Sequence, residues 1–333
     1  VSLTQSAGSQ TGAPGGAVPR ILTRGLGIAL LATLALAACS LFVGVYDVLG
    51  AEDGAQMFSI VRIPRTVSLV LAGASMAMAG LVMQQLTQNR FVEPTTAGTT
   101  EWAGLGLLFV LAVMPSAPLL LKMIIAVLAS FLGTMIFFLV LRGIKLRSAM
   151  IVPIVGIMLG AVVGAVSTFF ALSTNLLQTL SVWFMGSFSA SIQGQYEPVW
   201  AVALVMVGIF IVADRFTIAG LGEDVATGVG LDYRRVVLLG TGMIAATTGI
   251  ITVVIGNLPF LGLIVPNIVS LWRGDHLRSN LPWVALLGAA TVTFCDILGR
   301  LVIMPFEIPV GTILSILGAF VFVFLILRQR RRG

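Results

Sequence analysis

The sequence predicts an all-α polytopic membrane protein with about ten transmembrane helices and both termini in the cytoplasm. Three observations carry this. Of 333 residues, 58% are hydrophobic and only 10% charged, against about 25% charged in soluble domains. Mean hydropathy is +1.08, and apolar windows recur along the whole chain. A crossing takes roughly 20 apolar residues, so ten crossings use about 200 and leave short connections. No large soluble domain fits in the remainder.

In chain order, residues 1–19 are rich in Ser, Gly, Gln and Thr, lack the apolar content for a core, and are expected to form a disordered cytoplasmic tail. The transmembrane domain is then 20–328, with a basic cytoplasmic tail at 329–333. The first apolar run holds Leu36-Ala37-Ala38-Cys39, which has the form of a lipoprotein cleavage box. Everything downstream stays apolar, so the run reads as a span. Windows bounded by charges or Pro/Gly clusters place spans at 24–46, 66–87, 97–114, 118–141, 150–172, 198–213, 236–255, 260–272, 282–303 and 309–327. The eighth is too short to cross alone. Gly256-Asn257-Leu258-Pro259 before it suggests a broken or tilted entry, tolerable only where protein covers the open backbone. Ser173 to Pro198 reads as short interfacial turns. In the fifth span Gly156, Gly160 and Gly164 form a GxxxGxxxG face, suited to close helix packing or to the border of a conduit or subunit seam.

An even number of spans puts both termini on one side, and Lys/Arg asymmetry selects the cytoplasm. With the termini inside, only Arg62, Arg65, Lys122 and Arg300 of the 19 basic residues fall outside. The formal charge of +6 and pI near 10.1 therefore report topology and contact with membrane lipid, with Arg328 to Arg332 anchoring at anionic headgroups. No nucleic-acid partner is needed to explain them.

Catalytic patterns fail one by one. Cys39 and Cys295 lie inside apolar runs and His276 is the single histidine, which argues against disulfides and metal sites. Lys122 precedes Met123 and Lys145 precedes Leu146, so no P-loop is present. Gly240-Thr241-Gly242 with Ala245 matches a dinucleotide fingerprint only formally, because it opens an apolar span. HExxH and GxSxG are missing. The chain is read as having no catalytic residues, no metal and no cofactor of its own.

Ionisable and polar groups within or beside the spans remain, and such groups are costly in lipid. Asp296 and Arg300 stand four apart on one helix face, where they can pair. Glu101, in Thr99-Thr100-Glu101-Trp102, has no cation nearby in sequence; it reads as a path or proton site, or as a hydrogen-bonded helix-entry carboxylate. Gln84, Asn89, Asn267 and Asp296 join it as candidate path or intramembrane polar residues. Arg62 and Arg65 flank Ile63-Pro64 just ahead of span two, where proline can start a helix. With Arg300 they make three fixed positive points on the outer side, either snorkelling at the interface or docking an acidic partner through bidentate carboxylate pairing. The longest cytoplasmic loop holds Leu221, Gly222, Glu223, Asp224, Ala226, Gly228 and Gly230. It reads as a glycine-bracketed short helix with acids at its positive end.

Several blocks together resemble the FecCD permeases, membrane subunits of ABC importers for iron siderophores, haem and cobalamin. They are Arg62-Ile63-Pro64-Arg65-Thr66, Gly80 to Gln84, Asn89 to Pro94, Leu221 to Gly230, Phe260 to Pro266, and Asp296 and Arg300 followed by Glu307-Ile308-Pro309-Val310-Gly311. They run from about residue 57 to 327. The runs Thr95 to Gly106 and Gly256 to Arg278 resemble the branch for catecholate and mixed-type siderophores. Arg90 and Asn267 depart from the family's usual proline and histidine.

The resemblance implies a multi-pass permease of a prokaryotic cytoplasmic membrane that moves a ferric siderophore by alternating access. Its implied partners are a second permease, identical or homologous, two ATPases that use ATP and Mg, and an extracytoplasmic substrate-binding protein. Arg62, Arg65 and Arg300 would then meet glutamates of the binding protein, and Leu221 to Gly230 would couple to the ATPases. The rival reading is a proton-coupled secondary transporter using Glu101 or Asp296; it predicts inverted repeats, and none is evident.

Overall fold

The computed structural model describes residues 23–44, 53–144 and 150–330, with side chains through Leu327. The expected tail 1–19, Lys145, Arg147 and the final residues 331–333 lie outside the described residues. Twelve helices result: α1 Arg24–Phe42, α2 Gly54–Leu86, α3 Thr99–Val113, α4 Leu119–Arg142, α5 Ile151–Ser173, α6 Leu177–Phe184, α7 Glu197–Ala219, α8 Glu223–Gly228, α9 Tyr233–Val254, α10 Leu261–Arg273, α11 Leu277–Val302 and α12 Val310–Arg330. Ten of them coincide with the ten apolar windows. Eight are long and apolar enough to cross a membrane, while α3 and α10 are shorter apolar helices. The interfacial stretch after α5 is more ordered than expected, because α6 forms within it.

Burial separates inner from outer helices. The most apolar window of α2 is 83% buried and that of α9 72%, against 11% for α1. The outer helices α1, α4, α5, α7 and α12 turn Leu, Ile, Val and Phe outward, as helices facing hydrocarbon must. Inner helices approach through glycine. A Cβ on Gly73 would lie 2.5 Å from the Gly288 carbonyl oxygen, and one on Gly80 would lie 2.2 Å from the Gly262 Cα. These contacts bring the backbones of α10 and α11 directly onto α2, the small-residue packing that lipid favours.

Of the prolines inside inner helices, Pro64, Pro266 and Pro282, the first two each leave a carbonyl that another segment serves. The second span begins at Gly54, well before the expected 66, so Arg62 and Arg65 lie within it, and Pro64 stands in the first turn of its long α-helical stretch Ile63–Leu86. The turn Phe58–Arg62 widens to π geometry. Pro64 has no N–H for the carbonyl of Ile60, and that oxygen accepts from the Gln193 N–H at 2.9 Å. In α10, Pro266 likewise cannot donate to the Gly262 carbonyl, which accepts from Gln84 Nε2 at 3.2 Å. Buried backbone groups are nearly always paired, and here the partners come from remote parts of the chain.

The bundle has two distinct ends. One gathers Val43, the start of α2, residues 185–193 and the α11–α12 connection; Gly311 N–H bonds the Gly186 carbonyl there, and Ser187 N–H the Ile255 carbonyl. The other gathers the end of α2, the α7–α9 connection and the α10–α11 turn. Gly25 of α1 packs beside Trp283 near the start of α11, and Phe322 of α12 stacks edge-on to Phe91. Both described termini therefore lie at this second end, as an even number of crossings requires.

Candidate functional site

At the first end, five charged side chains form one cluster. Arg65 enters from the first turns of α2, Asp296 and Arg300 from the last turns of α11, and Glu307 from the loop after it. Arg65 Nη2 is 2.7 Å from Asp296 Oδ1 and 2.8 Å from Glu307 Oε2, while Arg65 Nη1 donates to Glu307 Oε1 at 3.0 Å. Arg300 Nη2 pairs with Asp296 Oδ2 at 2.6 Å, the i,i+4 pairing that the spacing allows. Arg300 also donates to the carbonyls of Ser40 and Val43 and to Ser40 Oγ. It thereby meets the negative end of α1, where a cation is favoured. Arg62 donates to the Val43 carbonyl as well.

The three arginines expected as fixed positive points on the outer side are thus gathered at one end of the bundle. Arg62, Arg65 and Arg300 are all buried and bonded within the chain, because a desolvated guanidinium requires acceptors. The cluster still carries a surplus: three guanidiniums face the two carboxylates of Asp296 and Glu307. Glu307 is its most open member, with 37% of its side chain exposed against 1% for Asp296. Ser189 Oγ also donates to it at 3.1 Å. Burial by itself would raise the Glu307 carboxyl; the hydrogen bonds and charge of Arg65 outweigh that and hold it below the usual carboxylate range.

At the second end, α8 stands at the surface between two glycines in left-handed or extended positive-φ conformations, Gly222 at +105° and Gly230 at +83°. Only glycine occupies such positions without strain. Ala226 is fully buried and pins the helix to the bundle, while Leu221, Val225 and Val229 are exposed. Glu223 and Asp224 occupy the first turn, and Gly228 faces open space. Beside α8 lies a cavity of about 820 Å³ bordered by Leu86, Gln88, Phe138, Arg142, Glu223 and Tyr233. A second, of about 280 Å³, is bordered by Gln84, Asn89, Arg90, Leu221, Asn267 and Asp275.

The broken entry to α10 is covered as the sequence required, by a residue that sequence reasoning missed. Glu93 is fully buried, and its Oε1 accepts from the Phe260 N–H at 2.7 Å. Thr95 Oγ1 donates to the same oxygen, while Oε2 has no hydrogen-bond partner among the described residues. The carboxylate thus occupies the positive N-terminus of the short helix. Gln84, Asn89 and Asn267 serve the same junction. Asn89 Oδ1 accepts from Phe91 N–H, and Asn267 Nδ2 donates to the carbonyls of Arg90 and Leu263. Little in the sequence signals Glu93, since Arg90 stands three residues before it as an apparent partner and the Phe260 N–H that it accepts from lies 167 residues away.

Among the remaining candidates, Glu101 lies against Gly160, whose added Cβ would sit 3.5 Å from its carboxyl carbon. Its Oε2 has no hydrogen-bond partner among the described residues. Gly156 packs on the Thr96 carbonyl and Gly160 on Gly98, but nothing lies within 4 Å of a Cβ on Gly164. Gly164 therefore leaves the packing face that it was expected to extend. No three His, Cys, Asp or Glu side chains converge on a metal-sized site among the described residues.

Comparison with known proteins adds to this geometry. The FecCD transport family matches residues 26–328. The chain is 57% identical over 312 residues to the petrobactin import system permease protein FatD of Bacillus anthracis, covering 94% of this chain and 93% of that one. It is 42% identical over 302 residues to the petrobactin import system permease protein YclN of Bacillus subtilis, covering 89% and 95%. In fold it is similar to a solved structure described as an inward-facing metal-chelate type ABC transporter, with TM-score 0.78, 22% identity, and coverage of 91% of this chain and 98% of that one.

Proposed function

The chain belongs to the FecCD transport family, and from that membership we propose that it is the permease subunit of an ABC importer that carries a ferric siderophore across the cytoplasmic membrane. The relatives' names supply the cargo class. The observation that carries the mechanism is the opposite construction of the two ends. One has an electropositive surplus fixed by a buried cluster, suited to carboxylates of an extracytoplasmic binding protein. The other has a short helix pinned at Ala226 that presents Leu221, Val225 and Val229, suited to the surface of an ATPase.

Two copies, or this chain with a homologue, would enclose a path between them, with one ATPase beneath each α8. ATP binding closes the ATPases, α8 conveys the movement into the ends of α7 and α9, and the path changes side. The chain hydrolyses nothing; ATP and Mg belong to the partners. Glu223 and Asp224 are the polar contacts of the helix with that partner, and Arg62, Arg65 and Arg300 are those of the opposite end.

The test is co-purification from the native membrane, then reconstitution into proteoliposomes with the recovered subunits. ATP hydrolysis and labelled ferric-siderophore uptake are measured. Siderophore-stimulated hydrolysis and ATP-dependent uptake are expected. Glu223→Lys with Asp224→Lys should abolish uptake while the subunits still insert. A solitary chain whose transport follows a proton gradient would overturn the reading and turn attention to Glu101.

A further inference from the structure

The charge cluster holds an acid in the position where an incoming acid would have to bind. Arg65 offers its guanidinium edge to Glu307 through two hydrogen bonds of 3.0 and 2.8 Å, the fork geometry that saturates one side of the group. Its other contacts go to Asp296 at 3.2 and 2.7 Å. Only 10% of the Arg65 side chain is exposed. A carboxylate arriving from outside therefore cannot reach Arg65 in bidentate fashion while Glu307 remains.

The two internal acids differ in how firmly they are held. Asp296 is wedged between Arg65 and Arg300 deep in α11, and its departure would strand two buried cations. Glu307 lies in the loop between α11 and α12, is more than a third exposed, and is held by Arg65 and Ser189. Its departure into water costs little if another carboxylate takes its place, because the charge at Arg65 is unchanged by the exchange.

We propose that Glu307 is an internal stand-in for the partner's carboxylate, and that docking swaps the two at Arg65. The inference rests on the docking reading of this end and adds to it a regulated state. With Glu307 in place the cluster is closed and the guanidinium is kept from unspecific anions. With Glu307 displaced, the loop leading through Pro309 into α12 is released from α2. Partner binding is thereby coupled to freedom of the α11–α12 connection, with Ser189 as the second tether on the 185–193 segment.

The experiment measures the affinity of the co-purified extracytoplasmic binding protein for the intact permease–ATPase complex in nanodiscs. The wild type is compared with Glu307→Gln, Arg65→Gln, the double variant and Ser189→Ala. Glu307→Gln removes the competing charge and should tighten binding roughly tenfold, the value of one charge-assisted contact. The same change in the Arg65→Gln background should have no effect, whereas a general gain in positive field would persist there. Ser189→Ala keeps every charge, loosens only the tether, and should tighten binding by about two- to threefold.

Unchanged or weaker binding in both Glu307→Gln and Ser189→Ala overturns the exchange. If Arg65→Gln and charge reversal of Arg62 and Arg300 also leave affinity unchanged, the docking reading itself falls. If those arginine changes abolish binding but the Glu307 and Ser189 variants do nothing, docking stands and only the exchange is lost.

Discussion

At the end where α2 begins, charge is buried and paired: Asp296 is 1% exposed and serves two guanidiniums. At the end where α2 finishes, charge is exposed on both partners, as in Arg90 with Asp275 at 59% and 58%, and the buried anchor is the methyl group of Ala226. Similar ion pairs therefore do different work. In the first case desolvation makes each pair indispensable to its neighbours, and the surface that results is a fixed electrostatic pattern. In the second, water screens the pairs, and what the surface offers is a shape bounded by glycines.

Breaking the pairs separately tests this contrast. Asp296→Asn leaves Arg65 and Arg300 buried with too few acceptors and should destabilise the bundle by about 3–5 kcal/mol, seen as a large drop in thermal midpoint in detergent or as loss of inserted protein. Gln84→Leu removes the donor to the Gly262 carbonyl beside Pro266. Its cost should be about 1–3 kcal/mol, the penalty of one unsatisfied buried group.

Acid separates the ends further. The Glu307 carboxyl is depressed in the folded state, so its contribution is present above its unfolded pKa and is lost as pH falls through the lower folded value. Arg65 hydrogen bonding at Glu307 should weaken only in acid, followed by infrared detection of the protonated carboxyl in wild type against Glu307→Gln. Arg90→Ala, which breaks an exposed pair, should cost less than about 1 kcal/mol and leave the thermal midpoint nearly unchanged. An equal loss from Arg90→Ala and Asp296→Asn would erase the distinction between the ends.

The spans were legible because hydropathy is a local property: ten apolar windows marked ten helices, and even the short eighth was visible as short. The start of α2 was not, since Asp53, Gln56, Arg62 and Arg65 lower the hydropathy of a stretch whose first turns stay largely exposed, while Arg62, Pro64 and Arg65 are drawn inward at the charge cluster. The Asp296–Arg300 pair could be read from its four-residue spacing. Arg65 with Asp296 and Glu307 could not, because those contacts join positions more than 200 residues apart and exist only after α2 and α11 have packed. Glu93 escaped for the same reason. The glycine-bounded helix at 223–228 was visible because its signals are adjacent in sequence, but the fact that Ala226 faces inward and its apolar neighbours outward depends on the surface it rests upon.

Pro266 and Gln84 lie on different helices, yet the fold makes them one genetic unit. A chain carrying Gln84→Leu should be rescued by a second change, Pro266→Ala, because the restored N–H serves the Gly262 carbonyl from within α10. A selection for revertants of the Gln84 lesion should therefore return substitutions at 266, far along the chain, in preference to neighbours of 84. Gln84 would then be required only while proline stands at 266, a dependence that no local reading connects.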